Sequence, residues 1–501
     1  MKLHLAIDLG AESGRVIGVW IDGDAVEMHE CHRFLHQPVA LPTGLHWNVA
    51  QIWSEILKGL NAAAAWAKSN AHTVSSVGCD AWGVDWALLD KSGELLGLPH
   101  AYRDPRNPKF YEETVGILGV DQIYQTTGIQ MMPINTLYSL LAVVRTSPRV
   151  IDAADQLLFI PDLIHYWLCG VRVVERTIAS TSQMIDLSTG AWAANLLQPL
   201  GIPEKILGEI VPAGTKLGKI RAEVATATGL SPDVQVITPG SHDTASAVAA
   251  VPADGSNSWC YLSSGTWSLL GAELEKHCTT AAAQAAMFTN EAGLGKSFRF
   301  LKNIAGLWLV QECRREWQRA GQDISYQKLS ELAASESSIS TLIDPNHLPF
   351  QQPGNMPKKI VAFARATSQA EPQTPGQFVR CILNSLALAY RRTFGSLETI
   401  LGQRFDRVHI VGGGGQNTLL NQLAADAVDR EVIVGPLEAT AIGNGLVQAM
   451  ACGELQSAGE IRSMLSRSSL IIGRFSPKPI LDRTELSARF AKICQVKSNE
   501  R

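Results

Sequence analysis

Apolar and polar positions change their period several times along this chain, and the changes mark out its elements. Leu3-His4-Leu5-Ala6-Ile7 and Arg15-Val16-Ile17-Gly18-Val19-Trp20-Ile21 are β-rich runs flanking the short segment Asp8-Leu9-Gly10-Ala11-Glu12-Ser13-Gly14. The pattern predicts an opening hairpin with that segment at its tip. Past Trp47, Asn48-Val49-Ala50-Gln51 has helix-start chemistry, and Ile52, Ile56, Leu57 and Leu60 recur at helical spacing, which predicts an amphipathic helix. Val74 to Asp80 returns to an extended pattern and ends in the compact loop Trp82-Gly83-Val84-Asp85. Strand and helix alternate, as in α/β folds.

The same logic carries through the rest of the chain. Val234 to Thr238 reads as a strand, broken by Pro239-Gly240 and followed by an alanine-rich helical run from Thr244 to Val251, so Asp243 is expected at a strand-to-helix junction. The polar segment Pro252 to Ser258 has the composition of a passage between lobes. Beyond it, Trp259-Cys260-Tyr261-Leu262 and Trp267-Ser268-Leu269-Leu270 flank Ser263-Ser264-Gly265-Thr266, repeating the opening hairpin and suggesting a duplicated architecture. Thr374-Pro375 starts a helix with Phe378, Ile382, Leu386, Tyr390 and Phe394 on one face. Val408 to Val411 is a strand running into Gly412-Gly413-Gly414-Gly415, and Leu419, Leu420 and Leu423 open another helix. The expected division is residues 1–250 for the first lobe, 256–453 for the second, and 454–501 for a C-terminal extension.

Bulk properties narrow the function. The length of 501 residues suits about three domains or two large lobes, and 46% apolar residues fill a sizeable core in each. The formal net charge of −4 comes with no run of Lys or Arg, which argues against nucleic acid and against a polybasic membrane anchor. Nine cysteines are scattered without a CxxC pair, so they read as reduced thiols in a cytoplasm. No basic-then-apolar leader and no bilayer-length apolar stretch is visible, and the expectation is a soluble protein that is not exported.

Two short, small and polar turns between apolar runs, one at Asp8 to Arg15 and one at Ser263 to Thr266, have the make-up of anion-binding nests, where backbone N–H groups lie against phosphate oxygens. Together they point to a nucleotide held in a cleft between two lobes. Asp243 is either a first-turn acid stabilising a helix N-terminus or the acceptor of a proton from an attacking hydroxyl. Asp8 is either a strand-end turn former or a Mg²⁺ ligand acting through water. Arg15 is a solvated strand charge or a partner for phosphate, and Thr266 closes a turn or touches phosphate. Several look-alikes are set aside. Asn290 to Ser297 nearly spells a P-loop but lacks its first glycine, and Gly412-x-Gly414 lacks the third glycine of a dinucleotide fingerprint. His29-Glu30-Cys31-His32 suggests a metal cluster, but strand alternation puts His29 and Cys31 on one face and His32 on the other.

Taken together, these motifs resemble the FGGY carbohydrate kinases. The likeness runs through Ala6 to Arg15, Gly78 to Asp90, Ala101 to Asp104, Asn135 to Tyr138, Ser241 to Val248, Tyr261 to Leu270, Leu301 to Gln311 and His409 to Asp426. Its most specific parts are Ser-His-Asp-Thr-Ala-Ser-Ala-Val and Leu-Ser-Ser-Gly-Thr-Trp-Ser. The resemblance implies a two-lobed actin-like fold of the α/β class, with ATP and Mg²⁺ as cofactors and a small ketose as partner. It implies Asp243 as proton acceptor, with Ala11, Glu12, Ser13, Gly14, Arg15, Thr266, Gln311 and Gly413 lining ATP. It implies Gly83, His242, Asp243, Thr244 and Asn303 as sugar contacts. The implied substrate is L-rhamnulose, converted to its 1-phosphate, with L-fuculose or another ketose as the alternative and an actin-like ATPase without sugar kinase activity as a more distant one. Asn48, where relatives carry Asp, and Met131-Met132, where they carry bulkier side chains, depart from the family pattern and bear on the sugar.

Overall fold

The computed structural model describes residues 1–255, 258–336, 341–479 and 483–495. It divides into two compact units: Met1–Pro252 with Glu273–Phe300 and Glu438–Ser468, and Ala253–Ala272 with Leu301–Leu437 and Ser469–Arg501. Within the segment expected to join the lobes, Ser256 and Asn257 lie outside the described residues.

The first unit opens on the predicted hairpin, with Lys2–Leu9 and Ser13–Asp22 paired antiparallel and Ala25–Leu35 added as a third strand. Thr73–Ala81 then lies parallel to the first strand and Gln235–Ile237 parallel to it in turn, with Lys216–Lys219 antiparallel at the edge. Three neighbouring strands of this sheet therefore run in one direction and end together, the place where open α/β sheets put their chemistry.

Both faces of the first strand are buried, and each parity has its own partner. Leu3, Leu5, Ile7 and Leu9 pack with Ile52, Ile56, Leu60, Ala63 and Ala67 of the Val49–Ser69 helix in one apolar cluster. Each large side chain so buried is worth about 1.5–3 kcal/mol relative to exposure. Asn48 caps this helix, its side chain accepting from Gln51 N at 3.2 Å. Asn serves that role as well as Asp does, so the departure at position 48 costs the fold nothing. The opposite parity, which carries His4 and Asp8, lies toward the Ala439–Ala451 helix, as the chain of side-chain hydrogen bonds from His4 through Ser76 to Gln448 shows.

One expectation about the third strand is corrected. Val16 pairs with His32 and Ile17 with Glu30, which leaves Cys31 as the extra residue of a bulge. The bulge resets the alternation, so His29 and His32 both reach the Val49–Ser69 helix: His29 stacks on Trp66 at 4.3 Å between ring centroids, and His32 bonds Glu55 at 2.8 Å.

The second unit repeats the plan. Trp259–Ser264 and Trp267–Leu274 form an antiparallel hairpin; Arg407–Val411 and Glu431–Val434 follow in parallel, with Gly473–Phe475 antiparallel at the edge. The Pro375–Leu401 helix, capped by Thr374, buries Phe378, Ile382, Leu386, Tyr390 and Phe394 as its periodicity predicts. Strand order thus bears out a duplication that residue identity conceals. All nine cysteines are unpaired, and among the described residues no helix is long and apolar enough to cross a membrane.

Within the first unit the Asp243–Ala249 and Ala439–Ala451 helices cross so closely that a Cβ added to Gly443 would stand 1.9 Å from the Ser246 carbonyl oxygen. Backbone cannot yield as a side chain can. Gly443→Ala is expected to lower unfolding free energy by about 3 kcal/mol, measured by urea denaturation, whereas Gly459→Ala, with no such neighbour, should change it little.

Candidate active site

In the first unit the carboxyl ends of the parallel strands bring together Asp8, Asp80 and the Ser241-His242-Asp243 segment. Asp8 and Asp80 are direct cross-strand partners, Ala81 N donates to Ser241 O at 2.9 Å, and Trp82 N donates to Leu9 O at 3.0 Å. Asp243 is the first residue of its helix, and its Oδ1 accepts from Thr244 N at 2.5 Å and from Thr244 Oγ1 at 3.1 Å. Its side chain keeps 30% of its exposure, which sets it apart from the buried acids around it.

The loop that presents Asp243 is held by a buried anchor. Glu175 accepts from the backbone N–H groups of Thr177, Ile178 and Ser241 at 2.9, 3.2 and 3.1 Å, and Thr177 Oγ1 accepts from His242 N at 3.1 Å. Burial lifts the Glu175 carboxyl above its ordinary value despite these bonds. A second anchor fixes the His242 ring. Its Nε2 stands 3.4 Å from Asp243 Oδ1, while its Nδ1 meets Glu291 Oε2 at 3.1 Å and Arg299 Nη2 at 3.0 Å. Arg299 is fully buried and pairs with Glu291 at 3.0 Å. Burial alone would raise the Glu291 carboxyl, but Arg299 and His242 more than offset it and hold it below the usual value.

Asp8 is pushed up to about 6, chiefly by burial, with Glu438 and Asp243 adding to the effect and Arg15 opposing it. Arg15 bridges Asp8 at 2.7 Å and Glu438 at 3.0 Å, and Arg33 reaches Glu438 at 2.8 Å. Burial first, and then the neighbouring Asp8, lift Asp80 well above the ordinary range. Of the opening turn, Ala11, Glu12 and Ser13 are half-buried and Gly14 is buried; the turn closes through Gly10 N to Ser13 O at 2.9 Å and His36 N to Glu12 O at 3.2 Å.

The Trp82-Gly83-Val84-Asp85 loop is strained and tightly braced. Val84, β-branched, sits at φ 69°, a costly conformation that surrounding structure must enforce. Its N–H donates to Thr181 Oγ1 at 3.0 Å, and the same Thr181 side chain backs Gly83. Asp85 takes both indole N–H groups of Trp47 and Trp82, at 2.5 and 2.8 Å, yet burial pushes its carboxyl up to about 7. Trp82 is buried against Trp47 and His36, so its ring braces the loop.

The second unit gathers Thr266, Gln311 and the Gly412–Gly414 turn. Gln311 Nε2 lies 3.4 Å from Thr266 Oγ1. A Cβ on Gly414 would fall 2.2 Å from Ser264 Oγ, and Gly412 adopts φ +91°, so small residues let this turn close over the Ser264 backbone. A Cβ built on Gly413 would meet nothing within 4 Å, so that side of the turn is open space. The predicted sugar contacts are divided: Gly83, His242, Asp243 and Thr244 belong to the first unit, and Asn303, on the Phe298–Ala305 strand, to the second. Sequence reasoning missed Glu175, Glu291, Arg299 and Asp80. The first three reach the Asp243 loop through Ser241 and His242, dozens of residues away, and Glu291 was hidden inside the P-loop look-alike.

Comparison with known structures identifies this as the two-domain actin-like fold of sugar kinases. A xylulose kinase from Lactobacillus acidophilus superposes with a TM-score of 0.78 over 99% of this chain and 97% of its own, at 16% identity. Plasmodium falciparum glycerol kinase with ADP gives 0.77 over 100% and 99%, at 15% identity. The N-terminal domain of the FGGY family of carbohydrate kinases matches residues 3–250 and the C-terminal domain residues 260–452. The chain belongs to that family. Among its relatives are rhamnulokinases of Bacteroides thetaiotaomicron, 40% identical over 92% of this chain and 93% of the relative, and of Bacillus subtilis, 37% identical over 97% and 98%.

The buried loop acid gives a pH prediction. Because the folded chain holds a proton on Asp85 up to about pH 7 while the unfolded chain releases it near 3.8, this residue's contribution to stability is present at acid pH and lost as pH rises through that window, by roughly 3 to 4 kcal/mol. Asp85→Asn should flatten that part of the stability-against-pH curve, measured by denaturant titration from pH 4 to 8. An unchanged slope would refute the assignment.

Proposed function

We propose that this chain transfers the γ-phosphoryl group of ATP to the primary hydroxyl of L-rhamnulose, giving L-rhamnulose 1-phosphate and ADP. The observation that carries the reading is the half-exposed Asp243, held beside the Glu291-braced His242 ring at the ends of three parallel strands. The identity of 37–40% to rhamnulokinases over more than nine-tenths of the chain supports the ketose assignment.

Asp243 takes the hydroxyl proton as the sugar oxygen bonds the γ-phosphorus and the bridging oxygen leaves with ADP. Positioning and charge neutralisation supply most of the acceleration. Gly83, His242, Thr244 and Asn303 bind the sugar in this reading. Ala11, Glu12, Ser13, Gly14 and Arg15 of the first unit, and Thr266, Gln311 and Gly413 of the second, bind ATP. Asp8 would hold Mg²⁺: it is a hard oxygen donor whose carboxyl burial has pushed up to about 6, and a cation beside it would favour its ionised form. When bound, Mg²⁺ neutralises phosphate charge. Nine unpaired cysteines support a reducing, cytoplasmic setting.

The test is ADP release across a panel of ketoses, with L-rhamnulose expected to give the highest kcat/KM. A different preferred ketose would correct the substrate, and ATP consumption indifferent to any sugar would overturn the reading. Asp243→Asn should lower kcat by about 10²–10⁴ while ATP affinity, measured by calorimetry, stays within about threefold. Near-normal turnover in that variant would remove Asp243 from the chemistry.

A further inference from the structure

Alternate residues of two neighbouring parallel strands make an unusual buried row. His4 pairs with Ser76, Ala6 with Gly78 and Asp8 with Asp80. On the helix above, Asn444 and Gln448 stand one turn apart. The polar groups are connected without a break: His4 Nδ1 to Ser76 Oγ at 2.7 Å, Ser76 to Gln448 Oε1 at 2.6 Å, Gln448 Nε2 to Asn444 Oδ1 at 2.6 Å, and Asn444 Nδ2 to Asp80 Oδ2 at 2.6 Å. The chain begins at Glu454, whose Oε1 lies 3.0 Å from His4 Nε2. His4, Ser76, Asn444, Gln448 and Asp80 are buried, while Glu454 reaches solvent.

Its direction follows from counting protons. Gln448 Nε2 also donates to Leu5 O at 3.0 Å, so the carbonyl of Leu5 fixes that amide's orientation and leaves Oε1 an acceptor. Asn444 Nδ2 likewise faces Gly78 O at 3.3 Å as well as Asp80. Ser76 has one hydroxyl proton, and Gln448 Oε1 takes it. The Ser76 oxygen can therefore only accept from His4 Nδ1. Glu454 is acceptor-only when ionised, and the hydrogen bond from His4 is the main reason its carboxyl lies below the ordinary value. Both ring nitrogens must then donate.

We propose that His4 is a positioning residue: carrying a proton on each ring nitrogen, it anchors a one-way chain of hydrogen bonds through Ser76, Gln448 and Asn444 that orients Asp80 beside Asp8. The inference rests on the reading that places the reacting end of the site at Asp8 and Asp243. Without a proton on Nδ1, the Ser76 hydroxyl hydrogen is wanted by both His4 Nδ1 and Gln448 Oε1, and one buried acceptor is left unmatched. The charged and titratable groups around this end are Glu454, Lys2 at 3.5 Å from Glu454, Cys452 and Lys216. Of these only Glu454 receives a ring proton.

Two measurements test this. In ¹⁵N-histidine-labelled protein at neutral pH, the His4 ring, assigned by its disappearance in His4→Asn, should show protons on both nitrogens; a neutral single tautomer would overturn the proposal. In kinetics, Asn places an amide donor where Nδ1 stands. His4→Asn should keep kcat within about twofold. His4→Leu should lose kcat on the order of tenfold, with KM for ketose and ATP within about twofold. Wild-type kcat in folded His4→Leu, or equal loss in both variants, would overturn the proposal. If His4→Leu fails to fold, the ring protons still decide. Failure of Asp243→Asn to lose turnover would instead strike the functional reading and leave the ring-proton result standing.

Discussion

A carboxylate removed from water must be matched by a cation or by donors, and the first unit is organised around that constraint. Asp8, Asp80, Asp85, Glu175 and Glu291 are all buried, and each is met differently. Asp8 is met by Arg15, Glu291 by Arg299 and His242, Glu175 by three backbone N–H groups, Asp85 by two indoles, and Asp80 by a single amide. The matching sorts them. Where a guanidinium and an imidazole face the acid, it is held in the ionised range; where only neutral donors face it, burial wins and the carboxyl shifts upward. Asp8 is the mixed case, with Arg15 pulling down against burial, Glu438 and Asp243.

This sorting leaves Asp243 as a partly exposed carboxylate among fixed neighbours. Its neighbours are fixed by their own partners: His242 by Glu291 and Arg299, and the Ser241-His242 backbone by Glu175 and Thr177. Such bracing on rigid elements gives an acid a defined direction before substrate arrives. The Val84 strain fits the same picture, since a left-handed β-branched residue persists only where packing over-determines it.

Local features were readable in the sequence because they rest on near neighbours. Both hairpins, the Asn48 and Thr374 caps, and the apolar face of the long helix from Pro375 follow from period and cap chemistry within a few residues. The position of Asp243 at a strand-to-helix junction was legible for the same reason. What escaped depends on distance. Glu291 matters because Arg299 and His242 converge on it, and nothing in the Asn290–Ser297 stretch signals that. The bulge at Cys31 escaped because a single inserted residue leaves the strand's composition unchanged while reversing its alternation. The His4-Ser76 row was hidden because a strand face carrying polar and small residues, as His4, Ala6 and Asp8 do, normally marks a solvent face. Here the Ala439–Ala451 helix covers that face and supplies the missing partners.

The two units share strand order but differ in the chemistry at matching places. At the hairpin turn and its parallel neighbour the first unit carries Asp8 beside Asp80, whereas the second carries Ser263 beside Val411, followed by Ser264, Gly265 and Thr266. Hydroxyls, glycines and bare N–H groups favour an anion without setting a like charge against it. Carboxylates suit proton acceptance and cation binding instead. A duplicated scaffold can thus divide labour, because the same turn geometry presents whichever side chains the local sequence supplies. Gly412, Gly414 and Ser264 show the cost of that specialisation in the second unit, since the turn closes only where no Cβ intervenes. In the first unit the cost is electrostatic: Arg15, linked through Glu438 to Arg33, meets Asp8, while Asp80 has only the Asn444 amide and shifts upward.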